Sequence, residues 1–150
     1  MYTRQTIDEF LAQKDLALVG VSRTGKGFGN AVLKALTAKG FHVRLVHPEA
    51  DSIGGQPCAR SLTDVAAHVG GAVLVTPPSQ TEKLVREAAD AGVRRVWIQQ
   101  GAESEAAIKA CEDRGIEAVH HQCILMFAEP AGGIHRFHRG ILALFRRLPK

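Results

Sequence analysis

Long apolar runs are missing from this sequence. None approaches the ~20 consecutive apolar residues that a bilayer-crossing helix needs, so no membrane span is expected. The opening MYTRQTIDEF is too polar for a secretory signal. Cysteine is scarce: Cys58, Cys111 and Cys123 are odd in number and lack CxxC spacing. Without a secretory context they read as free thiols in a reducing, cytoplasmic setting rather than as a disulfide framework. Acidic residues are absent from Ile134 onward, where Arg136, Arg139, Arg146, Arg147 and Lys150 fall together. Removing those five from the 19 Lys and Arg leaves 14 against 15 Asp and Glu, so the net charge of +4 belongs to the tail. The body has no overall basic surface, which argues against a nucleic-acid partner.

What is present is the composition of an ordinary globular protein, 45% hydrophobic and 23% charged over 150 residues, a length that suits one domain spanning residues 1–150. One phrase recurs three times: a helical stretch, a glycine, then a β-rich run. It reads AKGFHVRLV at 38–46, DAGVRRVWI at 90–98 and DRGIEAVHH at 113–121. Glycine just past a helix end closes the last turn, and the runs behind it are rich in β-branched residues. Helices alternating with short buried strands specify an α/β fold, a doubly wound parallel sheet with helices on both faces. The pattern predicts strands near 16–20, 42–47, 72–76, 94–98 and 117–121. Helices are predicted near 6–14, with a capping box at Thr6 and Glu9, and near 27–39, 79–91, 103–114 and 134–147. Segment 51–60 reads as a loop, and Ser61-x-x-Asp64 as the start of a short helix. Five strands in the order 3-2-1-4-5, as a three-layer sandwich, are the expected topology.

In such folds ligands sit at the carboxyl ends of the strands. The residues there are Gly20, Val21, Ser22, Arg23, Thr24, Gly25 and Lys26; His47 and Pro48; Thr76, Pro77 and Pro78; Gln99, Gln100 and Gly101; and Gln122 and Cys123. The first group dominates. In LALVGVSRTGKGFG a strand empties through Gly20, Gly25, Gly27 and Gly29 onto a helix N-terminus, where free amides and the helix dipole favour an anion. Arg23 and Lys26 sit inside that cradle and are candidate phosphate contacts.

Three phosphate ligands compete. Gly20-x-x-x-x-Gly25-Lys26 matches the start of a P-loop, but Gly27 stands where a Ser or Thr should hold the metal, and strand 72–76 has no aspartate. A dinucleotide fingerprint wants a second glycine where Ser22 stands, and an acid at the second strand end where His47-Pro48 stands. Coenzyme A carries a 3′-phosphate that an acidic strand end would repel. A neutral or cationic end, with Arg23 and Lys26 nearby, suits it better.

The segments GVSRTGKGFGNAVLKALTAKGFHVRLVHP, TPP after the third strand, VWIQQGAESEAAIKACEDRGI and the late Cys123 resemble the small single-domain CoA-binding proteins of bacteria and archaea. Those are similar to the N-terminal CoA-binding domain of the succinyl-CoA synthetase α subunit. The resemblance runs from Ile7 to Glu129 and implies a Rossmann-like fold that binds coenzyme A or an acyl-CoA. By resemblance Ser22, Arg23 and Lys26 face the phosphates, and His47 and Pro48 flank the nucleotide. Thr76 and Pro77 line the next strand end, and Ile98, Gln99 and Gln100 precede Gly101. Relatives often have Asn-Pro at His47-Pro48, and the synthetases commonly have an acid near Gln100. Synthetase catalysis needs a phosphorylated histidine on a second domain, which this sequence lacks.

The remaining residues read plainly. Glu103 and Glu105 complement a helix dipole. His120 and His121, as neighbours in a strand, should point to opposite faces and not share an ion. Cys123 follows the last strand, on the ligand-binding edge, and is expected to be a small packed cysteine rather than a partner for a ligand thiol. In the tail, Ile134, Phe137, Ile141, Leu144, Phe145 and Leu148 form a helical stripe beside the arginines, which predicts a basic amphipathic helix over 134–150 that packs on the sheet rather than on a membrane. No nucleophile–base pair or metal cluster emerges, so a binding or regulatory module is expected. An NAD(H)-binding redox sensor, an accessory subunit of an acyl-CoA synthetase or acyltransferase, and a homodimer all stay open.

Overall fold

The computed structural model describes residues 3–127. The tail helix expected over 134–150 lies outside them. Helix α1 (Arg4–Leu11) leads into β1 (Asp15–Val19), α2 (Phe28–Ala38) and β2 (His42–Val46). A small hairpin follows, β3 (Ser52–Ile53) and β4 (Gln56–Ala59), and then the short helix α3 (Leu62–Val65). β5 (Gly71–Leu74), α4 (Pro78–Ala91), β6 (Arg95–Gln99), α5 (Glu105–Asp113) and β7 (Glu117–Gln122) complete the alternation. The glycines read as helix closers behave so: Gly40, Gly92 and Gly115 have φ of 93°, 89° and 68°.

Among the described residues the sheet has seven strands in the order β3-β4-β2-β1-β5-β6-β7, parallel except for β3. The sheet departs from the expected topology in two places. The segment 51–60 is not a loop: Gly54 and Gly55, with φ of 57° and 82°, turn a tight hairpin whose second strand pairs with β2 through Leu45–Cys58 and Val46–Ala59. The strand around 72–76 also does not lie outside β2. It sits directly against β1, and β4 takes the third-strand place beyond β2. Counting β4 and setting aside the two-residue β3, the order along the sheet is 3-2-1-4-5-6. The sequence hides β4 because it is four residues long, carries Pro57, and is held by pairing with a strand ten residues upstream rather than by its own pattern.

The capping box of α1 is also displaced. Thr3 is the N-cap: its Oγ1 accepts the Thr6 amide at 3.3 Å, and the Thr6 Oγ1 accepts the Thr3 amide at 3.3 Å. Glu9 is taken instead by Gln5, whose Nε2 donates to it at 2.9 Å. The helix begins early enough to seat Ile7 and Phe10, both at most 1% exposed, against the sheet.

The layers follow from where apolar side chains point. Ile7, Phe10, Val32 and Leu36 from α1 and α2 bury against Leu16, Leu18, Leu45 and Trp97 on one face. Leu62, Val85 and Ala107 from α3, α4 and α5 bury against Ala17, Ala72, Leu74 and Ile98 on the other. Both faces of β1, β5 and β6 are therefore dry, and each fully buried Leu, Ile or Val contributes about 1.5–3 kcal/mol. Trp97 is fully buried, stacks edge-on with Phe10 at 5.5 Å and donates its indole N–H to the Gln122 carbonyl at 3.0 Å.

Candidate functional site: the crevice at the strand ends

From β1 the chain runs outward through β2 and β4, then returns to place β5 on the other side of β1. The crevice of a doubly wound sheet opens at that reversal, above the carboxyl ends of β1 and β5. The glycine loop fills its mouth. Gly20 has φ of 114°, and a Cβ there would stand 1.9 Å from the Val75 carbonyl oxygen. A Cβ on Gly29 would stand 2.2 Å from the Gly20 carbonyl oxygen. Backbone thus packs on backbone at both ends of the loop, and α2 starts closer to the sheet than any side chain allows.

The loop is braced from within. Asn30 accepts the Ser22 amide through Oδ1 at 3.0 Å and donates its Nδ2 to the Ser22 carbonyl at 3.1 Å. Ser22 Oγ accepts the Thr24 amide at 3.2 Å, Thr24 Oγ1 accepts the Lys26 amide at 3.3 Å, and the Gly25 amide reaches the Ser22 carbonyl at 3.2 Å. Those amides are spoken for, so the cradle is not an open ring of main-chain donors. What faces outward is the first turn of α2, whose N-cap, Gly27, supplies no capping side chain. Beside it Lys26 is exposed and has no ion-pair partner among the described residues. Arg23 lies 3.4 Å from Glu49, in a pair whose side chains are 59% and 70% exposed. Such a pair holds Arg23 weakly. Phe28, in the first turn, is 49% exposed, the one large apolar side chain left open among the described residues.

At the end of β2, His47 does the work of a turn-forming amide. Its Nδ1 accepts the amides of Glu49 at 3.0 Å and Ala50 at 2.9 Å, as an Asn oxygen does in an Asx turn. That arrangement requires a bare Nδ1 and leaves Pro48 exposed towards the crevice. At the end of β5, Thr76 and Thr81 are buried with Oγ1 atoms 2.8 Å apart, and Thr81 donates to the Ala102 carbonyl at 2.7 Å. This network ties β5, α4 and the loop after β6 together. Pro77 and Pro78 are exposed at the start of α4.

Other expected positions turn inward. Val21 and Ile98 are buried in the core. Gln99 is 1% exposed, and its Oε1 accepts the Ile124 amide at 3.0 Å, closing the turn after β7. Gln100 and Gly101 are exposed, with the Gly101 amide donating to Glu103 Oε1 at 2.8 Å. The other oxygen of Glu103 accepts the His121 amide at 3.3 Å.

His120 and His121 do not point apart as neighbours in a regular strand would. A bulge between Trp97 and Gln99 breaks the alternation of β7, His121 takes φ of 60°, and the two Nδ1 atoms meet at 2.7 Å. Burial and then His121 hold the pKa of His120 below the usual imidazole range. No group of three His, Cys, Asp or Glu side chains converges as a metal site among the described residues. Cys58, Cys111 and Cys123 are all free thiols, Cys123 half-buried.

Sequence reasoning missed a cleft of about 390 Å³ at the carboxyl ends of β1 and β2, against α4. Val19, Val46, Pro48 and Leu84 make its apolar wall, and Arg60, Gln80, Lys83 and Glu87 its polar rim. Two further concavities, of about 510 and 190 Å³, lie mainly over the amino halves of β2 and β7, away from the strand ends. Gln80, Lys83, Leu84 and Glu87 recur at helical spacing along α4, a signal present in the sequence. Arg60, just beyond β4, was hidden by the reading of 51–60 as a loop.

This architecture, a doubly wound sheet with an uncapped glycine-flanked helix at the reversal point, defines a Rossmann-like α/β protein. Residues 14–129 match a family model described as a CoA binding domain, and the chain belongs to that family. It is 27% identical over 90% of its length to an ADP-forming acetate–CoA ligase from Methanocaldococcus jannaschii, of which it covers 19%. The chain spans about a fifth of the length of the curated relatives it matches. A conserved hypothetical protein from Pyrococcus furiosus is 39% identical with a TM-score of 0.70, covering 74% of this chain and 96% of that one. A hypothetical protein from Pyrococcus horikoshii superposes with a TM-score of 0.76 at 27% identity, over 94% of this chain and 93% of that one. No helix among the described residues is long and apolar enough to cross a membrane.

Proposed function

We propose that this chain binds coenzyme A or an acyl-CoA non-covalently, as a binding or regulatory module. The observation that carries the reading is the uncapped first turn of α2, brought against the sheet by Gly20 and Gly29 and facing the crevice. Its amides receive a pyrophosphate oxygen, with Lys26 free beside them and Arg23 released from Glu49 by the incoming charge. A hydrogen bond to a charged oxygen contributes about 1.5–3 kcal/mol, which exceeds the ≲1 kcal/mol of an exposed ion pair, so the exchange favours the ligand. At the end of β2 the chain offers His47 and Pro48 and no carboxylate, because Glu49 lies past the turn and faces Arg23. That end suits a ribose carrying a phosphate better than one presenting two free hydroxyls.

Calorimetric titration with coenzyme A, 3′-dephospho-CoA, NAD and ATP tests this. Coenzyme A should bind best. Preference for NAD would overturn the reading in favour of a nicotinamide-responsive sensor. The ligase relatives, several times longer than this chain, support a second reading in which it serves a synthetase or acyltransferase as a separate CoA-holding part. Co-purification with a larger ATP-grasp protein would favour that role; a chain that purifies alone and leaves such a protein's activity unchanged would count against it.

A further inference from the structure

We infer that the cleft between β1, β2 and α4 reads a phosphomonoester on the ligand's ribose through Arg60 and Lys83, and thereby selects coenzyme A over nucleotides with a free 3′-hydroxyl. The inference rests on the coenzyme A reading above and adds the residues that make the choice. Arg60 comes from just beyond β4 and Lys83 from the second turn of α4, yet both reach the rim of one cleft of about 390 Å³. Its wall at Val46 and Pro48 is apolar, a surface for a base and sugar rather than for a solvated ion alone.

The two cations are available. Among the described residues Lys83 has no ion-pair partner. Among the described residues Arg60 pairs with Asp51, whose side chain is 92% exposed, so that pair competes weakly with a ligand. The acid on the rim, Glu87, has one oxygen engaged by backbone, its Oε1 accepting the Leu62 amide at 2.6 Å at the start of α3, and Arg60 and Lys83 together outweigh its single charge. A phosphomonoester carries close to two negative charges at neutral pH and accepts a bidentate guanidinium, so it matches one Arg and one Lys. A free hydroxyl satisfies neither. Arg23 and Lys26 are left to the pyrophosphate at the mouth of the cradle, and the two anionic groups are read by separate pairs of cations.

The test is calorimetric titration of the full chain with coenzyme A and with 3′-dephospho-CoA, for wild type and for Arg60→Gln, Lys83→Gln, the double variant and Asp51→Asn. These side chains lie at the surface, and an unchanged Tm will show that the fold is intact. Wild type should prefer coenzyme A by about tenfold or more, and each single substitution should cut that preference about three- to tenfold. The double variant should bring the ratio close to one while leaving dephospho-CoA affinity within about twofold. Asp51→Asn, which frees Arg60, should widen the preference. A preference that survives the double substitution overturns the assignment of Arg60 and Lys83. Equal wild-type affinity for the two ligands overturns the inference and leaves the coenzyme A reading standing. Binding of neither removes both.

Discussion

Replacing Gly29 by alanine tests the geometry on which the crevice depends. The new Cβ would lie 2.2 Å from the Gly20 carbonyl oxygen, 2.8 Å from its carbon and 3.2 Å from the Val21 Cα, whereas ordinary contact begins at 3.4 Å. All three are backbone atoms, so no side chain can swing away. The start of α2 must therefore retreat from β1 by about 1 Å. Overpacking of this kind costs about 1–3 kcal/mol, while alanine regains about 1 kcal/mol over glycine as a helix former. A net loss near 1 kcal/mol lowers Tm by about 3–4 °C in a chain of this size. Binding should suffer more. An amide placed about 2.9 Å from a phosphate oxygen ends near 3.9 Å, beyond hydrogen-bond reach, and one such bond lost at 1.5–3 kcal/mol weakens coenzyme A at least tenfold. Gly40→Ala is the matched control. It closes the other end of α2 with φ of 93° and open space around it, so it carries backbone strain without touching the crevice. Its Tm should fall by a similar amount with Kd unchanged. If Gly29→Ala binds coenzyme A within twofold of wild type, or if both variants lose affinity together, the contact between Gly20 and Gly29 does not set the site.

Two further outcomes are expected. His47→Asn should preserve the turn after β2, since the amide oxygen can accept the same two N–H groups, whereas His47→Ala strands both and should cost about 1–2 kcal/mol by chemical denaturation; equal stability of the two variants would refute the capping role. Burial pushes the Cys111 thiol from 9.0 up to about 11. Because the folded value is the higher one, this group's contribution is intact below pH 9 and is lost as pH rises towards 11, by up to roughly 2–3 kcal/mol. Cys111→Ala should flatten that alkaline slope in denaturation curves, and an unchanged slope would place its cause elsewhere.

Much of the fold was legible in the sequence because its signals are local. Glycines at 40, 92 and 115 end helices wherever they occur, and β-branched runs behind them make strands whatever their neighbours, so the alternation and the parallel sheet could be read directly. The glycine loop was legible for the same reason. The hairpin was not: Gln56–Ala59 has no strand pattern of its own and exists because β2 has an edge to pair with. Arg60, placed by that pairing, was invisible until the tertiary structure set it on the rim of one cleft with Lys83 from α4.

Side-chain roles divide along the same line. That His47 stands at a strand end follows from spacing, but that its Nδ1 holds the turn depends on where the amides of Glu49 and Ala50 fold back to. That Gln99 is polar is written in the chain; that it faces inward to Ile124 was decided by a segment 25 residues later. His120 and His121 show the limit most sharply, since the rule of alternation holds only while register does, and a bulge between neighbouring strands abolished it. Periodicity and punctuation are encoded within a few residues of backbone preference, so the sequence alone determined the alternating helices and strands and the glycine loop between β1 and α2. Pairing, register and the convergence of charges are long-range choices among burial alternatives, and only the packed structure could make them.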